Sequence, residues 1–297
     1  MNWNAADFGD ALRNTATEFE KEGLVLSPDC AEEVIHNFRV HTKKMRALLR
    51  LFATSHEESK APEMSKKVRK IYKLAGKVRD AQLMAQGALK KEKEREQLAG
   101  YLSWLGEARG LAKAELRDFY SAKTIRKTAK RVRKAKAPSI SPAALRAFFD
   151  SKLAAIEDLR NKHPLEEEDL HEIRKELKDL SYVAKIIDAG WPGALALVEM
   201  KGKLEELEKL TGRAGKFNDQ HNALVSLEAY LATQPQDEGA AEVREKWALR
   251  KAEKRSKLLK AIIAFGKKKT GDKKEKKEKK TELPTAQKTT QTKGSAE

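Results

Sequence analysis

The segment VIHNFRVHTKKMRALLRL at residues 34–51 returns in weaker form as DLHEIRKELKDLSYVAKI at residues 169–186. His36 matches His171, Arg39 matches Arg174, Lys43 matches Lys178 and Arg50 matches Lys185, all at an offset of 135 residues. A second related element follows each copy, LAGKVRDAQ at 74–82 and RAGKFNDQH at 213–221, so that Asp80 stands 44 residues after His36 and Asp219 stands 48 after His171. Two signals repeated in one order imply a chain of two like halves, because an ordered pair recurs by chance far less readily than one short motif.

At about 100° per residue, His36, Arg39, Lys43, Arg46 and Arg50 fall on one stripe of a helix. Val34, Phe38, His41, Met45, Leu48 and Phe52 fall on the opposite one. His171, Arg174, Lys178 and Lys185 repeat the arrangement over Ile173, Leu177, Leu180, Ala184 and Ile187. A basic stripe on a surface helix is ordinarily just a solvated face. Solvation gives no reason to keep histidine, arginine and lysine at identical offsets in both halves, whereas two facing copies would line one positive cleft.

The H-x-x-R-x-x-x-K pattern of both helices, each followed by an AGK-x-x-D type element, resembles the CHAD domain, a histidine-containing α-helical domain. The resemblance spans roughly residues 1 to 265 and rests on four motif segments in order. It implies an all-α fold of two four-helix-type bundles related by pseudo-two-fold symmetry, with a basic channel between them that binds inorganic polyphosphate. The second copy departs from the first in carrying Ser181 where the first has Arg46, and Asn218-Asp219 where the first has Arg79-Asp80. A weaker grip on anions by the second half is the expected consequence.

With 40% hydrophobic residues, the 297-residue chain can build one large core or two ordinary ones. It has no apolar run of about 18 residues and no charged-then-apolar secretory pattern at its start, so a cytoplasmic protein is expected. A single cysteine, Cys30, excludes an internal disulfide and a cysteine-based metal site. The formal charge is +17; the tail from residue 267 holds 11 lysines and 5 acids, leaving +11 for residues 1–266. That distribution calls for a polyanionic partner of the folded body. Residues 267–297 are nearly devoid of apolar side chains and are expected to be disordered.

Periodic segments and cap signals predict helices at about 3–22, 28–55, 63–90, 92–119, 121–134, 142–160, 165–188, 194–211, 216–233 and 240–266. Ser27-Pro28 and Ser141-Pro142 read as helix starts. The segment KAKAPSISP marks the junction of a first half at 1–137 with a second at 138–266.

Further cations extend the expected site. Lys66, Arg69, Lys70, Lys73 and Lys77 form a stripe on the third helix, and Arg126, Lys130 and Arg133 lie one turn apart on a basic helix before the junction. The alternative for that helix is a merely exposed basic surface. Arg79 falls on the more apolar side of its helix, where a carboxylate-held structural role and a ligand-binding one are equally open. Asp80 and Asp219 would repel phosphate, so they are assigned to orienting a neighbouring cation or histidine, or to capping a turn.

Polyphosphate exposes charge and oxygens but no base edges, so it must be read by shape and charge. Arginine offers a planar fork for two oxygens, lysine a mobile charge tolerant of register, and histidine a donor that charges as pH falls. Metal binding by His36, His41, His171 and His221 is disfavoured because His36 and His41 lie on different faces. His41 reads instead as a core histidine. Mg²⁺ or Ca²⁺ would come only with the polymer, bridging its oxygens. No phosphate loop, nucleophile elbow or acidic metal set is legible, so no enzyme activity and no cofactor are expected; phosphorylation of His36 or His171 is a minor alternative. Nucleic-acid binding is the main rival given a pI near 9.7, but aromatics for base stacking are only 6% of the chain. Targeting to or organising polyphosphate granules is compatible with the same channel.

Overall fold

The computed structural model describes residues 2–26, 31–55, 61–89 and 92–265. The expectations for Ser27-Pro28, Cys30 and the 267–297 tail lie outside these residues. The described chain is all-α, in the order α1 (Ala5–Leu24), α2 (Glu32–Ser55), α3 (Lys66–Leu89), α4 (Glu92–Gln97), α5 (Ala99–Phe119), α6 (Ala122–Arg133), α7 (Pro142–Arg160), α8 (Glu167–Gly190), α9 (Ala194–Leu197), α10 (Leu204–Thr233) and α11 (Glu238–Phe265). None of these helices is long and apolar enough to cross a membrane.

Several boundaries follow from side chains that satisfy the free N–H groups of a helix start. The hydroxyl of Ser141 accepts from the Ala144 backbone N–H, with Pro142 in the first turn. Ser121 does the same for Thr124 at the start of α6. At α8, Glu166 and Asp169 form a reciprocal capping box.

Helix α2 packs against α1, α3, α7 and α8. Its residues Ile35, Phe38, Met45, Leu48, Leu51 and Phe52 are almost completely buried, each contributing roughly 1.5–3 kcal/mol of transfer free energy. The main apolar core runs without interruption from Trp3 and Phe8 of the N-terminal segment to Leu258 and Ile262 of α11. A second cluster joins Leu98, Tyr101 and Leu105 to Leu224, Leu227, Tyr230, Val243 and Trp247. Residues from both sides of the junction at 137 contribute to each.

Two elements differ from the sequence expectation. The predicted helix over 92–119 is interrupted at Leu98, whose side chain is buried in the second cluster. Gly239 of α11 lies against the backbone of Gln97, where an added Cβ would meet Gln97 atoms at 3.3 Å, so the approach of α11 coincides with the break. The predicted pair 194–211 and 216–233 is instead the short α9 and one continuous α10. Gly212 and Gly215 cost about 1 kcal/mol each in a helix interior, a cost that burial of Leu207, Leu210, Ala214 and Phe217 outweighs.

Candidate functional site

Helices α2 and α8 carry the matched stripes and pack on one another. Ile35, Phe38 and Met45 on α2 and Ile173, Leu177, Leu180 and Ile187 on α8 are buried, which leaves the basic stripes at the helix surfaces. Lys43 lies at their centre. Burial pushes its ammonium down from the usual 10.5 to about 7, helped by the charges of Arg39, Arg174 and Lys178 and opposed by Asp80. Charges on Arg174 and Lys178 of α8 act on Lys43 of α2 only at short range, so cations from both halves gather at one spot. Lys178 is also lowered, by burial first and then by Arg174 and Lys185, with Asp219 opposing.

Two carboxylates complete the centre. Burial raises the Asp80 carboxyl above the usual range; Asp219 adds to that shift, while Arg39, Lys43 and Arg174 oppose it. Asp80 of α3 therefore feels Arg39, Lys43, Arg174 and the Asp219 carboxylate of α10, while Asp219 acts on Lys178.

Each motif histidine interacts with the residue preceding the motif aspartate, one by a hydrogen-bond contact and the other through charge. His171 Nδ1 lies 3.1 Å from Asn218 Oδ1. His36 keeps much of its surface in solvent, and partial desolvation lowers it below its usual range, aided by the charges of Arg79, Lys43 and Arg39, with Glu33 opposing. The exchange of Arg79 for Asn218 thus replaces a repelling cation by a neutral hydrogen-bond partner.

Tyr72 of α3 organises the first half. The Arg39 guanidinium stands 4.7 Å from its ring centroid and that of Arg46 5.9 Å, while Arg39 Nη1 donates to the Tyr72 carbonyl at 3.1 Å. Gly76 of the AGK element leaves the space this needs, since a Cβ there would sit 2.2 Å from Arg39 Nη1. The matching Gly215 has nothing within 4 Å, and Arg174 Nε is buried without a hydrogen-bond partner. Ser181, which stands in place of Arg46, is buried.

The CHAD domain family model matches residues 11–199, nearly two thirds of the chain. The chain belongs to the CHAD domain family. It is similar in fold to the crystal structure of the CHAD domain from the plant Ricinus communis, with a TM-score of 0.62 at 17% identity over 89% of this chain and 92% of that one. No curated protein matches.

In this CHAD domain several of the expected cations are held by carboxylates. Arg50 Nη1 donates to Asp179 Oδ2 at 2.5 Å, and Lys152 lies 3.3 Å from the same oxygen. Lys185 pairs with Glu208 at 2.9 Å. Arg79 lies 3.4 Å from Glu32 Oε2, which also accepts from Gln86, a structural engagement that leaves its charge acting on His36.

The α3 and α6 cations divide as well. Lys66, Arg69, Lys70 and Lys73 are exposed, but Lys77 reaches Glu115 of α5 at 2.7 Å. Lys77 and Lys70 both pull the Glu115 carboxyl below its usual range, so this part of the α3 stripe is turned toward α5 rather than toward α2. Helix α6 does not extend the α2 and α8 track as the sequence suggested. It packs on α1 and touches α3, Arg133 is paired with Glu20 of α1, and Arg126 and Lys130 are exposed.

Sequence reasoning missed Tyr72, Asp179 and the partnership of His171 with Asn218. Position gave one signal for the first, since Tyr72 lies one helical turn before the motif glycine. The others come from distant elements. A cavity of about 180 Å³ beside His171 is bounded by Glu167, Phe217, Asn218 and His221, with His221 Nδ1 3.8 Å from Glu167 Oε2. Among the described residues no group of three or more His, Cys, Asp or Glu side chains is arranged to hold a metal ion.

Proposed function

We propose that this CHAD domain binds inorganic polyphosphate along the facing stripes of α2 and α8, without performing chemistry on it. The observation that carries the reading is the gathering of Arg39, Arg174 and Lys178 around Lys43, whose ammonium burial first and then these charges bring to about 7. Crowded cations raise the energy of the free protein, and a polyanion laid among them relieves it. Arg39, Arg46 and Arg174 would engage phosphate oxygens by charge-assisted bonds, while Lys43 and Lys178 follow the variable register of the polymer. His36 and His171 flank the centre as donors. A divalent cation would arrive with the polymer, bridging its oxygens, and association with polyphosphate granules in the cytoplasm is the corresponding cellular role.

Nucleic acid is the competing polyanion. The Tyr72 ring favours polyphosphate, because its contacts with Arg39 and Arg46 compete with any stacking on a base. Titrating the full-length protein with polyphosphate and with single- and double-stranded DNA of matched charge across a salt series tests the proposal. Polyphosphate preference that persists at high salt is the expected result. Equal affinity for all three, falling steeply with salt, would reduce the site to bulk charge.

A further inference from the structure

Helix α6 carries the longest acid-free basic stretch of the described chain: residues 120–137 hold eight Lys and Arg and no Asp or Glu. Ile125, Thr128, Ala129 and Val132 are buried, and Ile125 reaches α1 at Gly23, where an added Cβ would lie 2.7 Å from its Cγ2. Burial of that face forces the cations outward. Lys123, Lys127, Lys130 and Lys134 are all exposed and, at spacings of four, three and four residues, form one line about 16 Å long on the side opposite α1.

Several solvated lysines elsewhere in this chain are compensated within their own helix. Lys175, Lys209, Lys246 and Lys257 each have a glutamate three or four residues away on the same helix. On α6 only Arg133 pairs with a carboxylate, Glu20, while Arg131 donates to the Glu63 carbonyl; among the described residues the four stripe lysines have no ion-pair partner. Their like-charge neighbours destabilise the helix. The helix dipole favours cations in the last turn but opposes Lys123 in the first. The stripe therefore carries an uncompensated charge that the fold does not use.

Resting on the polyphosphate reading above, we infer that the α6 lysine line is a second polyphosphate-contacting face, so that one molecule of this protein links two polymer strands. The two faces differ in chemistry. The α2 and α8 site combines arginine, histidine and half-buried lysine, whereas the α6 line is exposed lysine alone, which follows a linear polyanion of any register and is weak and salt-sensitive.

A sandwich measurement tests this. Full-length protein is loaded on surface-bound long-chain polyphosphate, and capture of a second, fluorescent long-chain polyphosphate is read for wild type and for the K123E/K127E/K130E/K134E variant. Both should load equally; wild type should capture the second strand, and the variant about tenfold less. Equal capture by the variant, or loss of loading together with capture, overturns the second face. So does wild-type protein that captures single-stranded DNA of matched charge but no second polyphosphate, which would give α6 to nucleic acid. Wild-type protein that fails to load at all sinks the parent reading instead.

Discussion

The guanidinium of Arg39 rests 4.7 Å from the ring centroid of Tyr72 and donates to the carbonyl of the same residue at 3.1 Å. One residue of α3 thus fixes an α2 cation at two points. A second arginine, Arg46, approaches the same ring at 5.9 Å. Tyr72 is in this way the positioning residue of the first half, set before any ligand arrives.

Replacing Tyr72 by Leu removes no charge but takes the ring from under both arginines, leaving Arg39 its hydrogen bond to the backbone carbonyl. Polyphosphate affinity should fall by about 1 kcal/mol, the scale of a partly exposed cation–π contact, while the salt dependence stays that of wild type. Tyr72→Phe should bind within about twofold of wild type, because the arginines engage the ring face. Isothermal titration of the three proteins checks both statements.

The two motif glycines should respond oppositely to alanine. Gly76→Ala places a Cβ 2.2 Å from Arg39 Nη1 and should displace the guanidinium, weakening binding with little change in fold. Gly215 has open space around it, so Gly215→Ala should gain up to about 1 kcal/mol of helix propensity and leave binding unchanged. Thermal melts paired with titrations separate the two effects.

Binding should take up protons. The Lys43 ammonium at about 7 and the lowered His36 imidazole are both partly deprotonated in the free protein near neutrality. A polyanion stabilises their charged forms and so raises both. The bound state then holds more protons than the free state, and affinity rises as pH falls from about 9 toward 6, levelling once both groups are protonated in the free protein. Asp80, already raised, shifts in the same direction. Calorimetry at pH 8 in buffers of different ionisation enthalpy measures the uptake. Lys43→Arg, permanently charged, should flatten the profile above pH 7; an unchanged profile would remove Lys43 from the site.

Arg50 should matter more for stability than for binding. Its partner Asp179 has only 12% of its side chain exposed, whereas Arg50 is 40% exposed. Arg50→Ala leaves Asp179 to Lys152 alone and should cost about 1 kcal/mol after allowance for solvent screening. Polyphosphate affinity should change less than it does for Arg39→Ala, for which about 1–3 kcal/mol is expected. Denaturant melts and titrations of the two variants provide the comparison.

What the sequence disclosed and what it hid have a common cause. Periodicity assigns residues to helix faces, so Phe38, Met45 and Leu48, and Ile173, Leu177 and Leu180, were legible as core, and Arg39, Lys43, Arg174 and Lys178 as a shared basic surface. The capped start at Ser141-Pro142 was legible because the cap is local. Periodicity says nothing about which carboxylate crosses from another element, so Asp179 against Arg50 and Glu115 against Lys77 were invisible. Nor does it report tertiary override. The break expected between 211 and 216 is abolished by the packing of α10, and Leu98 gave no sign of the interruption that its burial accompanies.

The most direct test is a double-mutant cycle of Arg39→Ala and Arg174→Ala on polyphosphate affinity. If one polymer is held between α2 and α8, each substitution weakens binding and the two effects are non-additive by about 0.5–3 kcal/mol, as for residues sharing a partner. Strict additivity, or no loss from either substitution, would mean that the two stripes do not hold a common ligand.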